Sequence, residues 1–230
     1  MKILIAISSR EYSGSTLGLG MKVASALKAS TTIVDVGEKI NEFGSKDVNI
    51  VNQLIETWDF NRPGVEVLEW AHDFLAKNNF IEIKEDQSQL LKNKLIESET
   101  DRAEVFLKGK IGNNLSLILR NGDIIGELRS EVEVGGYDIT IIGGSKKRSM
   151  SHDLIQYINS SIFIVKNYNP KNGYKLLLAI DESPNIQKVL KYGVRIARAF
   201  NFNVTFVKIE RNKKSSKKNE DLIKFISKFL

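Results

Sequence analysis

The chain has 230 residues, of which 42% are hydrophobic and 27% charged, and it carries a formal net charge of +6. This is the balance of a globular protein with enough apolar residues for a sizeable core. The absence of cysteine excludes disulfides, thiolate zinc sites, iron–sulfur clusters and a cysteine nucleophile. Since no apolar run approaches the roughly 18–20 residues of a membrane helix, we expect a soluble protein of the reducing cytoplasm.

Strand and helix patterns alternate from the start of the chain. Residues 2–7 form a near-continuous apolar run, typical of a parallel strand covered on both faces. A helix with small residues follows, then a strand over Thr31–Val36 and a helix that begins at Pro63. Further strands are predicted at Leu115–Leu119, Asp138–Ile142 and Ser161–Val165, and further helices up to Glu133 and over His152–Asn159.

Three segments interrupt this alternation. Asn41–Asn61 is a long excursion, and residues 82–114 are an insertion of mixed charge in which we predict one helix and one strand, Ala103–Leu107. The polar, turn-rich segment Asn167–Gly173 is the predicted domain boundary. The predicted domains are therefore residues 1–167, with insertions near 41–61 and 82–114, and residues 174–230.

The N-terminal parts of the two predicted domains are similar in sequence. Residues 2–36 align with residues 175–209 without a gap, with ten identities that include Gly20 on Gly193. Identity in a single register over this length indicates an internal repeat. The second copy ends after two strands and a predicted final helix, Glu220–Leu230, so it is a truncated βαβα unit.

Three passages resemble the universal stress protein family: Lys2–Ala29, Leu115–Ile125, and Asp138–Ser145 together with Ser161–Val165. The resemblance implies an α/β fold with a doubly wound, open, parallel five-stranded sheet, of the adenine nucleotide alpha hydrolase-like kind. The second copy resembles only the first half of the family's domain. The predicted architecture is a complete first domain with a partial second copy of the same fold.

Ligands of open parallel sheets bind outside the carboxyl ends of the strands, where the strand order reverses. Glycines after a strand expose backbone N–H groups to phosphate, and a following helix N-terminus adds partial positive charge. The candidate cofactor-binding residues at this rim are Ser8, Ser9, Val36, Gly143, Gly144, Ser145, Lys147, Ser149 and, in the second copy, Asp181.

The resemblance also implies an aspartate after the first strand and a phosphate loop with a second glycine. Ser8 stands at the aspartate position and Lys147 at that glycine, and the stretch after Lys147 is shorter than in the family. The second copy has the aspartate, Asp181, without the loop. The sequence therefore predicts a degraded nucleotide site, and it predicts no catalytic and no metal-ligating residue.

The favoured hypothesis is a regulatory or stress-response protein. The sequence favours a non-catalytic role for it over an enzymatic one. One alternative is an ATP- or adenine-nucleotide-binding switch or slow ATPase, with magnesium, that uses the loop Gly143–Ser149. Another is the soluble regulatory domain of a membrane transporter. The resemblance implies a homodimer through Ser161–Val165. A protein partner is a further expectation. The basic run Arg211–Lys218 lacks aromatic residues that could stack on bases, which disfavours a nucleic-acid partner.

Overall fold

The computed structural model describes residues 1–37, 64–81, 83–84, 94–99, 102–107, 111–112, 114–144, 148–180 and 186–208. The chain divides into two compact units, one formed by Met1–Ala24 with Ala29–Tyr168, the other by Ser25–Lys28 with Asn169–Leu230. The predicted excursion at 41–61 lies outside the described residues. No helix within those ranges is long and apolar enough to cross a membrane.

The first unit contains nine described strands. They are β1 (Lys2–Ile7), β2 (Ser30–Gly37), β3 (Ile83–Lys84), β4 (Lys94–Glu99), β5 (Arg102–Phe106), β6 (Ile111–Gly112), β7 (Leu115–Asn121), β8 (Ile139–Gly143) and β9 (Ser161–Val165). Seven of them form one sheet in the order β4-β5-β7-β2-β1-β8-β9, while β3 and β6 form a separate ladder. The five strands β7, β2, β1, β8 and β9, which are neighbours in this order, are parallel. This confirms the predicted α/β fold.

Four helices of the first unit cover the two faces of this sheet. They are α1 (Arg10–Leu27), α2 (Val65–Lys77), α3 (Ile124–Gly135) and α4 (Arg148–Tyr157). Leu4 belongs to a buried core with Leu128 of α3 and Leu154 of α4. The next residue, Ile5, faces the opposite way and touches α1 at Gly20. The sheet is therefore doubly wound, as the resemblance implied.

The described part of the 82–114 insertion contains four strands and no helix, where one helix and one strand were predicted. The predicted strand is present as β5. Its buried residues, Ala103 and Val105, alternate with more accessible ones, which is the period of a strand. The β4–β5 hairpin joins β7 in antiparallel orientation and extends the predicted five-stranded sheet to seven strands.

A buried ion network ties this hairpin to α3. In the antiparallel register Arg102 lies opposite Arg120, and Glu131, which is 0% exposed, accepts a 2.8 Å hydrogen bond from the Nε of each. Tyr137 Oη donates a third, also at 2.8 Å. Burial opposes ionisation of Glu131, but these hydrogen bonds lower the pKa of its carboxyl below the ordinary value. Glu131 is thus a buried carboxylate shared by two arginines.

The second unit is a single described βαβ motif: β10 (Lys175–Ile180), α5 (Ile186–Phe200) and β11 (Asn203–Lys208). The strands β10 and β11 pair in parallel. Leu190 of α5 packs on Ile180, with Phe206 at the edge of this small core. The basic run Arg211–Lys218 and the predicted helix Glu220–Leu230 lie outside the described residues.

The strand ladders of the two units have the same register. Lys2 lies opposite Ser30 in the β1–β2 ladder, and Lys175 lies opposite Asn203 in the β10–β11 ladder. In both, the partner is 28 residues further along the chain. These pairs occupy matching positions of the sequence repeat, so both copies close the βαβ turn over the same number of residues.

The helices of the two motifs approach their strands at equivalent glycines. A Cβ atom at Gly20 would lie 2.8 Å from Ile5 Cδ1, and one at Gly193 would lie 2.7 Å from Leu178 Cδ1. Both glycine–strand pairs match in the repeat alignment. The small residues singled out in the sequence therefore serve the same close helix–strand packing in each unit.

Candidate functional site

The strand order of the first unit reverses between β1 and β8, because the chain runs from β1 to β2 on one side and later returns to β8 on the other. Ile5 lies opposite Ile141, so the two strands end at the same edge. Ser8 and Ser9 follow β1 there. The fold therefore places the predicted rim where open α/β sheets bind ligands.

The five rim residues that the structure describes reach this one edge. Ser8 and Ser9 follow β1, Val36 lies at the end of β2, and Gly143 and Gly144 end β8. Val36 is partly buried against the core beneath the sheet, whereas Gly143 is exposed. The parallel arrangement of three adjacent strands is sufficient to bring them together.

The backbone N–H groups after β1 are already paired within the protein. Ser8 and Ser9 both donate to the Oγ of Ser13, at 3.1 and 3.3 Å. The Ser9 hydroxyl in turn accepts from the N–H of Tyr12 at 3.4 Å, as a helix N-cap does. The first turn of α1 thus satisfies the amides that a bound phosphate would otherwise approach.

The glycines after β8 are similarly held. The Gly144 N–H donates to the carbonyl oxygen of Val165 at 2.6 Å, which closes the end of the β8–β9 ladder. A Cβ atom at Gly143 would lie 3.2 Å from Thr16 Oγ1 of α1. Glycine at 143 therefore lets α1 pack against the end of β8, a packing role beside any ligand-binding one.

The other four predicted site residues either lie outside the described residues or belong to a different element from the one predicted. Ser145, Lys147 and Asp181 lie outside the described residues. The prediction that Ser149 belongs to the loop after β8 is wrong, because α4 begins at Arg148 and places Ser149 in the first turn of the helix. Its side chain is outside the described part of the chain.

Sequence reasoning missed a buried carboxyl group at the same edge. Asp35 lies near the end of β2, opposite Ile7 of β1, and is only 3% exposed. Its Oδ1 has no hydrogen-bond partner within the described part of the chain. In the sequence it is one polar residue between Val34 and Val36, and a strand position alone does not reveal how deeply a helix covers it.

The N-terminus of α2 covers Asp35. Gly64, which precedes the helix with a φ of 103°, is so close that a Cβ there would lie 2.5 Å from Asp35 Oδ2. Burial, and then the nearby charge of Glu66, raise the pKa of Asp35 to about 7. Within the described residues no three potential metal ligands cluster.

Substitution of Gly64 tests this packing. We expect Gly64→Ala to lower the free energy of unfolding by about 2–3 kcal/mol, since it combines a strained positive φ with a clash against Asp35. Gly136→Ala is the matched control, because its φ is also positive, at 62°, but a Cβ there meets nothing within 4 Å. It should cost only about 1 kcal/mol. Urea unfolding measures both, and equal losses would contradict the proposed contact.

Comparison with known proteins identifies the fold. A universal stress protein from Archaeoglobus fulgidus is 12% identical, over 99% of this chain and 74% of that chain, with a TM-score of 0.55. A Pseudomonas aeruginosa protein assigned to the universal stress proteins is 11% identical, over 99% and 69%, with a TM-score of 0.54. The chain has the universal stress protein fold.

Other comparisons add less. A universal stress protein from Archaeoglobus fulgidus in complex with dAMP is 13% identical, over 71% of this chain and 96% of that chain, with a TM-score of 0.42. That likeness is too weak to transfer a ligand. No protein-family model matches the chain, and no curated protein matches it.

Proposed function

We propose that this chain is a regulatory or stress-response protein of universal stress protein type, which acts without an adenine nucleotide at its first-strand rim. The observation that supports this most directly is the pairing of the Ser8 and Ser9 amides with Ser13 Oγ. A phosphate at this edge would have to displace an existing hydrogen-bond acceptor. The paired Gly144 amide adds to the same cost.

The absence of a carboxylate at Ser8, after β1, supports the same proposal. Ionised acceptors form stronger hydrogen bonds than neutral hydroxyls, so Ser8 is a weaker partner for a ligand hydroxyl than the aspartate that the family resemblance implies. Asp35 does not replace it, because its side chain lies beneath Gly64 and α2. Without nucleotide, the function rests on contacts with other macromolecules.

Calorimetric titration with Mg·ATP, AMP and dAMP tests this proposal. We expect no saturable binding by the native chain at nucleotide concentrations up to about 1 mM, which corresponds to less than about 4 kcal/mol of affinity. The double variant Ser8→Asp with Ser13→Ala, which adds a carboxylate and frees two amides, should bind more tightly than the native chain. Ser30→Ala is the control, since its hydroxyl bonds Met1 at the opposite edge of the sheet.

A second candidate is an adenine-nucleotide switch or slow ATPase that uses Gly143–Ser149 with magnesium. It is favoured by one observation: Gly143 is exposed at the switch in strand order and is followed by the N-terminus of α4. Saturable micromolar binding by the native chain that Lys147→Glu abolishes would establish this candidate and overturn the first one.

The C-terminal unit contains, we propose, a second copy of the βαβ motif that opens the first unit. The identical ladder register and the equivalent Gly20 and Gly193 packing support a common origin. Homodimer formation through β9 stays a prediction. It is supported by the position of β9 at the edge of the sheet and by Ile164, which is 39% exposed on that strand.

A further inference from the structure

The helix of the second unit carries a line of positive charge. Four cationic side chains of α5 are exposed and follow one another at intervals of three, four and three residues: Lys188, Lys191, Arg195 and Arg198. At about 100° of helix rotation per residue, they form a cationic stripe about 80° wide and about 15 Å long. The buried residues of α5 lie outside this stripe, because the helix packs its apolar side on β10 and β11.

No acidic residue of the helix balances the cationic stripe. Ile186–Phe200 contains no aspartate or glutamate, and Lys191 and Arg195 form no ion pair with any described residue. These two lie four residues apart, a spacing at which like charges destabilise a helix. Residues 169–230 hold 14 of the 34 lysines and arginines but only five of the 28 aspartates and glutamates. The positive charge is therefore concentrated in the C-terminal part of the chain, which indicates an anionic partner.

The equivalent helix of the first unit lacks the cationic stripe. In the repeat alignment, the matching positions of α1 are Ser15, Gly18, Lys22 and Ser25, of which only Lys22 is charged. Both helices approach their strands through equivalent glycines, so this packing does not require cations. The stripe is a property of the second copy's surface rather than of the βαβ motif.

We propose that the cationic stripe of α5 binds the phosphate backbone of a nucleic acid. Nucleic acids present phosphates at regular intervals along a line, and lysines and arginines clustered along one helix are a footprint of such binding. The basic run Arg211–Lys218 disfavoured nucleic acid because it lacks aromatic residues. The helix differs, since Tyr192 lies beside the stripe with its ring centroid 5.7 Å from Lys188 Nζ.

Two other anionic partners fit this surface less well. A helix that adsorbs to a bilayer inserts its apolar side, but α5 buries Leu190 and Val194 within the second unit. A protein partner would meet a surface rich in lysine, a residue depleted from protein–protein interfaces. Since α5 contains none of the candidate rim residues, this proposal does not depend on whether a mononucleotide binds at the rim.

Fluorescence anisotropy of the full chain with a labelled DNA duplex of about 20 base pairs and mixed sequence tests the proposal. We expect saturable binding that weakens between roughly 50 and 200 mM salt. In the double variant Lys191→Gln, Arg195→Gln, the slope of log K against log salt should become shallower by about 2. Affinity at about 0.1 M salt should fall about 60-fold, because each phosphate contact contributes about 0.9 to that slope.

Lys22→Gln with Lys77→Gln is the matched control. It removes the same charge from exposed lysines of the first unit, one of them at the position that matches Arg195. Slope and affinity should stay close to those of the native chain. Circular dichroism should give one spectrum for all three chains, since the four substituted side chains are exposed. A labelled single strand of the same length distinguishes an unpaired from a duplex target.

Three results would overturn the proposal. One is the absence of saturable binding by the native chain to both DNA probes at low salt. Another is an equal loss of affinity in the stripe variant and the control, which would show a response to net charge alone. The third is binding to phosphatidylcholine vesicles with about 30% phosphatidylserine that requires Lys191 and Arg195 while neither DNA probe binds. That result would identify a membrane surface as the partner.

Discussion

Glu131→Gln is expected to lower the free energy of unfolding by about 3–5 kcal/mol, the loss found when one partner of a buried ion pair is removed. Glutamine keeps the size of the side chain but not its charge. Arg102 and Arg120, which face each other across the β5–β7 ladder, would then be neighbouring cations without their shared carboxylate. Arg120 would keep its 3.0 Å bond to Glu127, but Arg102 would lose its buried partner.

The effect should be largest in the inserted hairpin. Glu131 belongs to α3, and its hydrogen bond from Arg102 is a direct link between that helix and β5. Amide hydrogen exchange of Glu131→Gln is therefore expected to show faster exchange in β4 and β5 than in β1 and β2. The depressed pKa of Glu131 adds a pH dependence, since its stabilisation is present above the ordinary pKa and is lost as pH falls through the folded-state value.

Glu133→Gln is the matched control for this experiment. Glu133 lies on the same helix and pairs with Arg129 at 2.9 Å, but both side chains are more than half exposed. Exposed pairs four residues apart contribute about 0.3–0.5 kcal/mol. Urea unfolding near pH 7 should therefore separate the two variants clearly, and a Glu131→Gln chain as stable as Glu133→Gln would contradict the role assigned to the network.

The parallel part of the fold could be predicted from the sequence because its signals are local. A buried run such as residues 2–7 and a turn such as Gly122-Asp123, where Asp123 caps α3 by accepting from Gly126 N–H at 2.9 Å, each identify their element without reference to the rest of the chain. The antiparallel hairpin could not be placed in this way. It pairs with a strand that follows it in the sequence and is held to α3 by the hydrogen bond between Arg102 and Glu131, which are 29 residues apart.

The position of the candidate site could be predicted from the sequence, but the hydrogen bonding of its backbone amides could not. Strand ends and glycines located Ser8 and Gly143 at the reversal of strand order. The hydrogen bonds of Ser13 to the Ser8 and Ser9 amides depend on the rotamer of one serine, and Ser13 differs in no sequence feature from other helical serines. The start of α4 at Arg148 was also missed, because the segment Gly143–Ser151 has the glycines, serines and charges of a loop.

Asp35 was missed for a related reason, and it gives the second large expected effect. Its burial is set by α2, which approaches through Gly64 after a long excursion of the chain. The charge of Glu66 raises the pKa of Asp35, and the Arg10 guanidinium donates to the backbone oxygen of Glu66 at 3.1 Å. His72, also buried on α2, is a further titratable group on this helix.

The sign of the pH dependence follows from the raised pKa. Between the ordinary value of 3.8 and about 7, the folded chain keeps a proton on Asp35 that the unfolded chain has lost. Stability therefore falls as pH rises through this window and levels off above it. The difference between these two pKa values of Asp35 corresponds to about 4 kcal/mol of destabilisation above pH 7.

Asp35→Asn should remove this penalty, because the amide has a similar shape and cannot ionise. We expect the variant to be more stable than the native chain by about 3–4 kcal/mol at pH 8 and to differ little from it near pH 4, where Asp35 is protonated. Glu66→Gln, which removes only the second cause of the shift, should give a smaller gain. Urea unfolding at both pH values measures these differences, and carbon-13 NMR titration of the Asp35 carboxyl separates it from His72. A midpoint below about pH 5, within the ordinary range for aspartate, would show that α2 does not bury the group.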